Sequence, residues 1–295
     1  VHIKRIKTEY VYEWTREALI YSILHRYPSK FIVKCYKIVI ERDYVSFYLE
    51  KLQEDLFDIR LTANIMRNLL FGLQHLHSPH ILHRDVKALN CGYNETSVKL
   101  FDFGYSCVMN NHTKIIKNED VFLPESEDPM HKYFVNWSYD MWFLGIMIME
   151  KLIGLQLTDV KFSSQEDLVF KLKGAYRKLA GNKERDDLFR MALLLLKFDP
   201  RNRYDATDCL ISLKTSIFPR DHKIKPMTKI EFEKYDKYVA EVYGCIFLEF
   251  LKDIRLDVFY LPFYPVDKKR LLKFVVKESN NIHRYCLTTS IELMD

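Results

Sequence analysis

Apolar residues in the first fifty positions fall in short runs rich in β-branched and aromatic side chains, Val1 to Ile6, Phe31 to Ile40 and Tyr44 to Leu49, the pattern of strands. One segment breaks that rhythm. From Trp14 to Leu24 apolar residues recur at helical spacing, so the opening region predicts a small sheet with one helix. From Asp55 onward the period is mostly helical, over Thr62 to Leu76, Trp137 to Leu152, Gln165 to Leu179, Asp187 to Lys197 and Ala206 to Ser212. Between the first two of these helices lies an irregular stretch, His83 to Tyr133, with brief strand-like pieces such as Ser97 to Phe101. Loops that long are uncommon unless they carry function. A basic, proline-bounded segment from Phe218 to Pro226 reads as a linker. Beyond it, Tyr235 to Lys252 and Lys268 to Met294 predict a separate helical unit.

Composition narrows the class. With 295 residues, 48% of them hydrophobic, the chain passes the size at which a single core usually stops growing, so two lobes are expected. The 45 Lys plus Arg exceed the 40 Asp plus Glu by only +5, too small and dispersed an excess for a nucleic-acid partner. The cysteines Cys35, Cys91, Cys107, Cys209, Cys245 and Cys286 show no paired spacing, which argues against a zinc site or a disulfide framework and for reduced thiols. The richest apolar runs, Met141 to Met149 and Met191 to Leu196, are too short to span a bilayer. The expectation is a soluble intracellular chain, cytoplasmic or nuclear, with no membrane partner. It opens on Val1 and stops in a helix-like apolar pattern, so one or both ends read as cuts through a longer protein.

The chemistry is concentrated in the irregular stretch. His83-Arg84-Asp85-Val86-Lys87-Ala88-Leu89-Asn90 has the form H-R-D-x-x-x-x-N, and Asp102-Phe103-Gly104 follows at twelve residues from Asn90. In that order and spacing the two resemble the catalytic loop and the metal-binding motif of eukaryotic-type Ser/Thr protein kinases. Phosphoryl transfer needs a carboxylate to receive the hydroxyl proton, oxygen ligands for Mg²⁺ and positive charge over the phosphates. The resemblance assigns Asp85 as the base, Asn90 and Asp102 as the metal ligands, and Lys87 as the cation near the γ-phosphate, a lysine similar to that of Ser/Thr rather than Tyr kinases. It implies ATP and Mg²⁺ as cofactors and a protein substrate.

Other segments carry the same likeness. Pro124-Glu125 resembles the end of an A-P-E motif, and Arg203 resembles the arginine that pairs with that buried glutamate. Asp140, in Trp137 to Gly145, is similar to the D-x-W-x-x-G aspartate that braces the catalytic loop. Val1-His2-Ile3-Lys4 resembles the V-A-I-K strand, which makes Lys4 the grip on the α- and β-phosphates. Its partner is expected to be Glu17, with Glu13 and Glu41 as alternatives. The hinge falls on Glu50-Lys51-Leu52, with backbone groups of Glu50 and Leu52 for adenine and Asp55 for the ribose. The implied fold is α+β and two-lobed: a β-rich small lobe with one helix (1–52), a mainly helical large lobe (53–221) and a helical extension (222–295).

Within kinases, Arg16-Glu17 and Tyr27 to Lys34 look most like the cyclin-dependent group, and Tyr260 to Asp295 faintly resembles the first helices of a cyclin box. A cyclin partner, separate or fused, follows from that likeness. The sequence also departs from the family. No G-x-G-x-x-G loop precedes Lys4, Lys117-Asn118 stands where a Gly-Thr is usual, and Gly92 replaces a bulky residue under the adenine. A pseudokinase acting as a binding or scaffolding module is therefore the alternative. Thr113 is the candidate for an activating phosphate, which Arg84 and Arg16 are expected to hold.

Overall fold

The computed structural model describes residues 1–94, 97–109, 121–127, 136–157, 160–177, 179–215 and 290–292. It divides into two compact units. The first comprises Val1–Leu52, Asp102–Val108 and Ile224–Asp295, the second Gln53–Phe101 and Met109–Lys223.

In the first unit, β1 (His2–Lys7), β2 (Cys35–Ile40) and β3 (Tyr44–Leu49) form an antiparallel sheet in the order β1-β3-β2. Lys4 lies opposite Phe47 in the β1–β3 ladder. Since successive side chains alternate between faces, Lys4 shares a face with the buried Ile6, while Ile3 and Arg5 face outward. The helix α1 (Val11–Arg26) buries Trp14, Glu17, Ile20, Tyr21 and Ile23. It begins a turn earlier than the apolar period predicts, because the amides of Glu13 and Trp14 both donate to the carbonyl of Tyr10. It stops ahead of Pro28, as the residue before a proline avoids helical backbone.

The strand expected over Phe31 to Ile40 is shorter than its apolar run. A turn closed by Ile32 N–H on the carbonyl of Ser29 buries Ile32, an isolated bridge, and Val33 outside any strand, and β2 starts at Cys35.

The second unit is mainly helical. Short strands β4 (Glu54–Asp55), β5 (Ile81–Leu82), β6 (Cys91–Tyr93) and β7 (Val98–Leu100) punctuate the 53–101 stretch, and β4, β6 and β7 pair in that order. The further strand β8 (Cys107–Val108) belongs to the first unit. The helix α2 (Ala63–His77) is capped by the Thr62 hydroxyl, which accepts from Ile65 N–H at 3.3 Å. The stretch expected to stay irregular also contains a single turn, α3 (Pro124–Glu127), opened by a proline in the position that needs no amide hydrogen.

The central helix α4 (Ser138–Ile153) is buried on nearly every side, as an all-round apolar helix must be. It packs on α6 (Lys183–Leu195) at Gly145, where a Cβ would lie 2.8 Å from the Leu196 side chain. Gly154, left-handed at φ 69°, ends it. The Ser164 side chain caps α5 (Gln165–Tyr176). The side chain of Asn182 caps α6, which therefore starts a turn before the first apolar residues. The last helix is α7 (Ala206–Thr215).

The linker and most of the extension expected at 222–295 lie outside the described residues. The exception is Ser290–Glu292, a strand (β9) that pairs with β2 where a helical pattern was expected.

One buried ion pair ties α3 to the chain before α7. Arg203 donates through both terminal nitrogens to Glu125, Nη2 to Oε2 at 2.6 Å, and through Nε to the carbonyl of Lys197 at 2.7 Å. Its guanidinium stacks on Trp142 at 4.7 Å. The two side chains are 0% and 1% exposed, so removing either strands the other's charge. Arg203→Ala should lower stability by about 3–5 kcal/mol. A urea unfolding midpoint equal to that of the parent would contradict the pairing.

Candidate active site

Two clusters of functional side chains form, each within its own unit. In the first, the Lys4 ammonium donates to Glu17 Oε2 and to Asp102 Oδ1, both at 2.8 Å. The three residues come from β1, α1 and a chain position 98 residues beyond Lys4. The alternatives for the lysine's partner fall away: Glu13 is exposed in the first turn of α1, and Glu41 accepts from the Ser46 hydroxyl at 3.3 Å.

Burial pulls the two charges of this pair in different directions. It would lower the Lys4 pKa, but the facing carboxylates of Glu17 and Asp102 outweigh it and hold the ammonium above its ordinary value. For Glu17, which is 0% exposed, burial wins over Lys4 and pushes the carboxyl from 4.5 up to about 7. The nearby Cys35 thiol is likewise driven by burial to about 12. It is a buried thiol, 5% exposed.

The 102–104 segment is held by side chains from the same unit. Asp102 sits in left-handed backbone at φ 64°, which costs a non-glycine residue free energy and persists only where neighbours enforce it. Phe103 is fully buried, edge-on to Tyr21 at 5.2 Å. Arg16 Nη1 donates to the carbonyl of Gly104 at 2.8 Å. Arg16 was expected to face a phosphate in the later loop, and in this structure its guanidinium meets the backbone of the motif itself.

The second cluster surrounds Asp85. The Asn90 amide nitrogen donates to Asp85 Oδ2 at 2.7 Å and to the Asp85 carbonyl at 2.9 Å, while Lys87 Nζ lies 2.8 Å from Oδ2. The loop that presents them is braced by Asp140. Its buried carboxylate accepts from the backbone amides of His83 and Arg84 at 2.9 and 2.7 Å, and meets His77 Nε2 at 2.9 Å. Burial would raise the Asp140 pKa, but the hydrogen bond and charge of His77, with those of its other partners, bring it below the ordinary carboxylate value. This grip fixes Arg84 in left-handed backbone at φ 65°. His77 carries no motif of its own, and sequence reasoning passed it over.

The hinge positions are engaged locally. Glu50 pairs its amide with the Lys34 carbonyl at 2.8 Å, and its carboxylate accepts from Lys34 N–H at 3.2 Å. Leu52 is partly exposed at the end of the first unit. Asp55 lies opposite Gly92 in the second unit, and its carboxylate accepts from Phe57 N–H at 2.8 Å. Thr113 and Lys117-Asn118 lie outside the described residues. Among those described, no helix is long and apolar enough to cross a membrane.

Comparison with known proteins meets this geometry directly, because the profile of the protein kinase domain family matches residues 1–212. The chain belongs to the protein kinase domain family. One relative of this kinase domain is a "probable serine/threonine-protein kinase" of Encephalitozoon cuniculi, 31% identical over 74% of this chain and 38% of the relative. Another is the serine/threonine-protein kinase KIC1 of Saccharomyces cerevisiae, 32% identical over 62% of this chain and 17% of the relative. A third, cyclin-dependent kinase C-2 C of Arabidopsis thaliana, is 29% identical over 70% of this chain and 33% of the relative. The kinase domain thus spans well under half the length of these curated relatives.

The Glu17 shift has a measurable consequence. Glu17 binds its proton more tightly in the folded state, at about 7, than at its ordinary 4.5. Its contribution to stability is therefore fully present below pH 4.5 and lost as pH rises through about 7. Glu17→Gln keeps the shape without titrating. The melting-temperature margin of the parent over Glu17→Gln should shrink across that interval, and a pH-independent margin would contradict the burial argument.

Proposed function

We propose that this chain is a Ser/Thr protein kinase that transfers the γ-phosphoryl group of Mg·ATP to hydroxyls of protein substrates. The observation that carries the reading is the Lys4 ammonium held at 2.8 Å from both Glu17 and Asp102. A half-buried cation fixed by a buried carboxylate is placed to meet anionic oxygens, and phosphoryl transfer relies on such positioning more than on covalent chemistry.

The donor set fits Mg²⁺. The Asn90 amide nitrogen is committed twice to Asp85, so its oxygen is the atom left to meet a cation, and the Asp102 side chain is 40% exposed. Among the described residues, no cluster of three His, Cys, Asp or Glu could hold a metal. Mg²⁺ keeps several waters and leans on substrate phosphates, so one carboxylate and one amide oxygen suffice. When bound, the ion would neutralise charge on the phosphate oxygens.

In this reading Asp85 accepts the proton of the substrate hydroxyl as its oxygen bonds the γ-phosphorus and the bond to the β-phosphate oxygen breaks, releasing ADP. Lys87, beside Asp85, offsets charge on the transferred group. Lys4 orients the α- and β-phosphates, while Asn90 and Asp102 hold the ion. The same reading assigns backbone groups of Glu50 and Leu52 to adenine and the Asp55 carboxylate to the ribose. The substrate class rests at Ser/Thr, since the relatives include both a cyclin-dependent kinase at 29% identity and a ste20 kinase at 31%.

Asp85→Asn should cut kcat by about a hundredfold or more while nucleotide-induced thermal stabilisation persists, because it removes the proton acceptor and no nucleotide contact. Turnover at the parent's rate would refute the base. Asp102→Ala should erase the Mg²⁺-dependent part of that stabilisation. Equal shifts for mutant and parent, with and without Mg²⁺, would rule out its metal role.

A further inference from the structure

Two polar atoms in the first unit are buried without a hydrogen-bond partner among the described residues: Glu17 Oε1 and the Tyr21 hydroxyl. Both belong to α1, and their residues are 0% and 2% exposed. At a spacing of four they are neighbours on one helix face. Leaving either unmet costs a full desolvation penalty, larger still for a carboxylate oxygen. Apolar packing cannot satisfy them: the Tyr21 ring packs edge-on against Phe103 at 5.2 Å and tilted against Phe47 at 6.0 Å.

The chemistry of the two atoms is complementary. A phenol donates and a carboxylate oxygen accepts. A buried water needs two to four polar partners, and one accepting from the Tyr21 hydroxyl and donating to Glu17 Oε1 would meet both needs. We infer that Tyr21 is a positioning residue, whose hydroxyl, through one ordered water, holds the second oxygen of Glu17 while Lys4 holds the first.

The link fixes the glutamate at both oxygens. Lys4 Nζ already sets Oε2 at 2.8 Å, but a carboxylate held at one oxygen can pivot about that contact. A second restraint removes the pivot and orients Lys4 towards Asp102. It also joins two functions in one side chain, because the same Tyr21 ring packs edge-on against Phe103 beside Asp102. Burial and the charge of Glu17 raise the Tyr21 pKa well above that of a free phenol, so the hydroxyl remains a donor.

The test is Tyr21→Phe, which keeps the ring and deletes the hydroxyl, made in the full chain and in a Glu17→Met background of similar shape. The inference expects Tyr21→Phe to lower the melting temperature in the parent and to leave it unchanged or raise it beside Met. An equal rise in both backgrounds, the signature of removing an unmet hydroxyl, overturns it. The kinetic arm rests on the kinase reading: kcat/KM for ATP should fall about tenfold in Tyr21→Phe, as expected for losing a hydrogen bond to a charged group. Undiminished kcat/KM beside a coupled melting cycle overturns the positioning role. A parent without phosphoryl transfer would refute the kinase reading alone, and the melting cycle would still decide this one.

Discussion

A carboxylate taken out of water must be met by donors, and among the described residues three of the most buried are met by partners far off in the sequence. Glu17, Glu125 and Asp140 are each 2% exposed or less. Their solutions differ in kind. Glu125 receives a bidentate guanidinium, Asp140 receives two backbone amides and an imidazole, and Glu17 receives one ammonium. Breaking a buried pair by removing one partner is costly, whereas keeping it adds little net stability. Their value is therefore geometric: each fixes the position of chain segments far apart in sequence.

The geometry they fix is strained. Arg84 and Asp102 both hold left-handed backbone without being glycine, a conformation costing roughly 1–3 kcal/mol each. Asp140 clamps the first through the Arg84 amide, and Lys4 clamps the second through the Asp102 carboxylate. Strain beside Asp85 and at Asp102 thus fixes the backbone from which those side chains project. Burial raises the Glu17 pKa to about 7 against the pull of Lys4, while the partners of Asp140 outweigh burial and keep its pKa lowered.

What could be read from the sequence follows from which signals are local. The Lys4–Glu17 and Glu125–Arg203 pairs and the Asp140 brace were legible because each sits in a short motif whose chemistry requires a partner, whereas the Lys4–Asp102 and Asp85–Asn90 bonds were not expected. Helix interiors were legible from periodicity, but their starts were not: α6 begins in the polar Lys183 to Asp187 run, set by the Asn182 cap rather than by apolar spacing. The Phe31 to Lys34 stretch misled because Ile32 and Val33 are buried outside any strand. His77 and Tyr21 gave no signal, since a histidine or tyrosine on a helix reads as ordinary packing until the long-range partner is known.

The segment 102–108 is held at its ends and in its interior by different residues. Although it counts with the first unit, both flanking residues count with the second. Those flanks are pinned by the loop that carries Asp85: His83 Nε2 bonds the Phe101 carbonyl at 3.0 Å, and Met109 N–H donates to His80 at 2.7 Å. The interior of the segment is pinned by Lys4, Arg16 and Tyr21. Phe101 and Asp102 share one peptide unit, which is planar and stiff. The planar 101–102 peptide and the left-handed Asp102 backbone are therefore the constraints that shape the start of this segment.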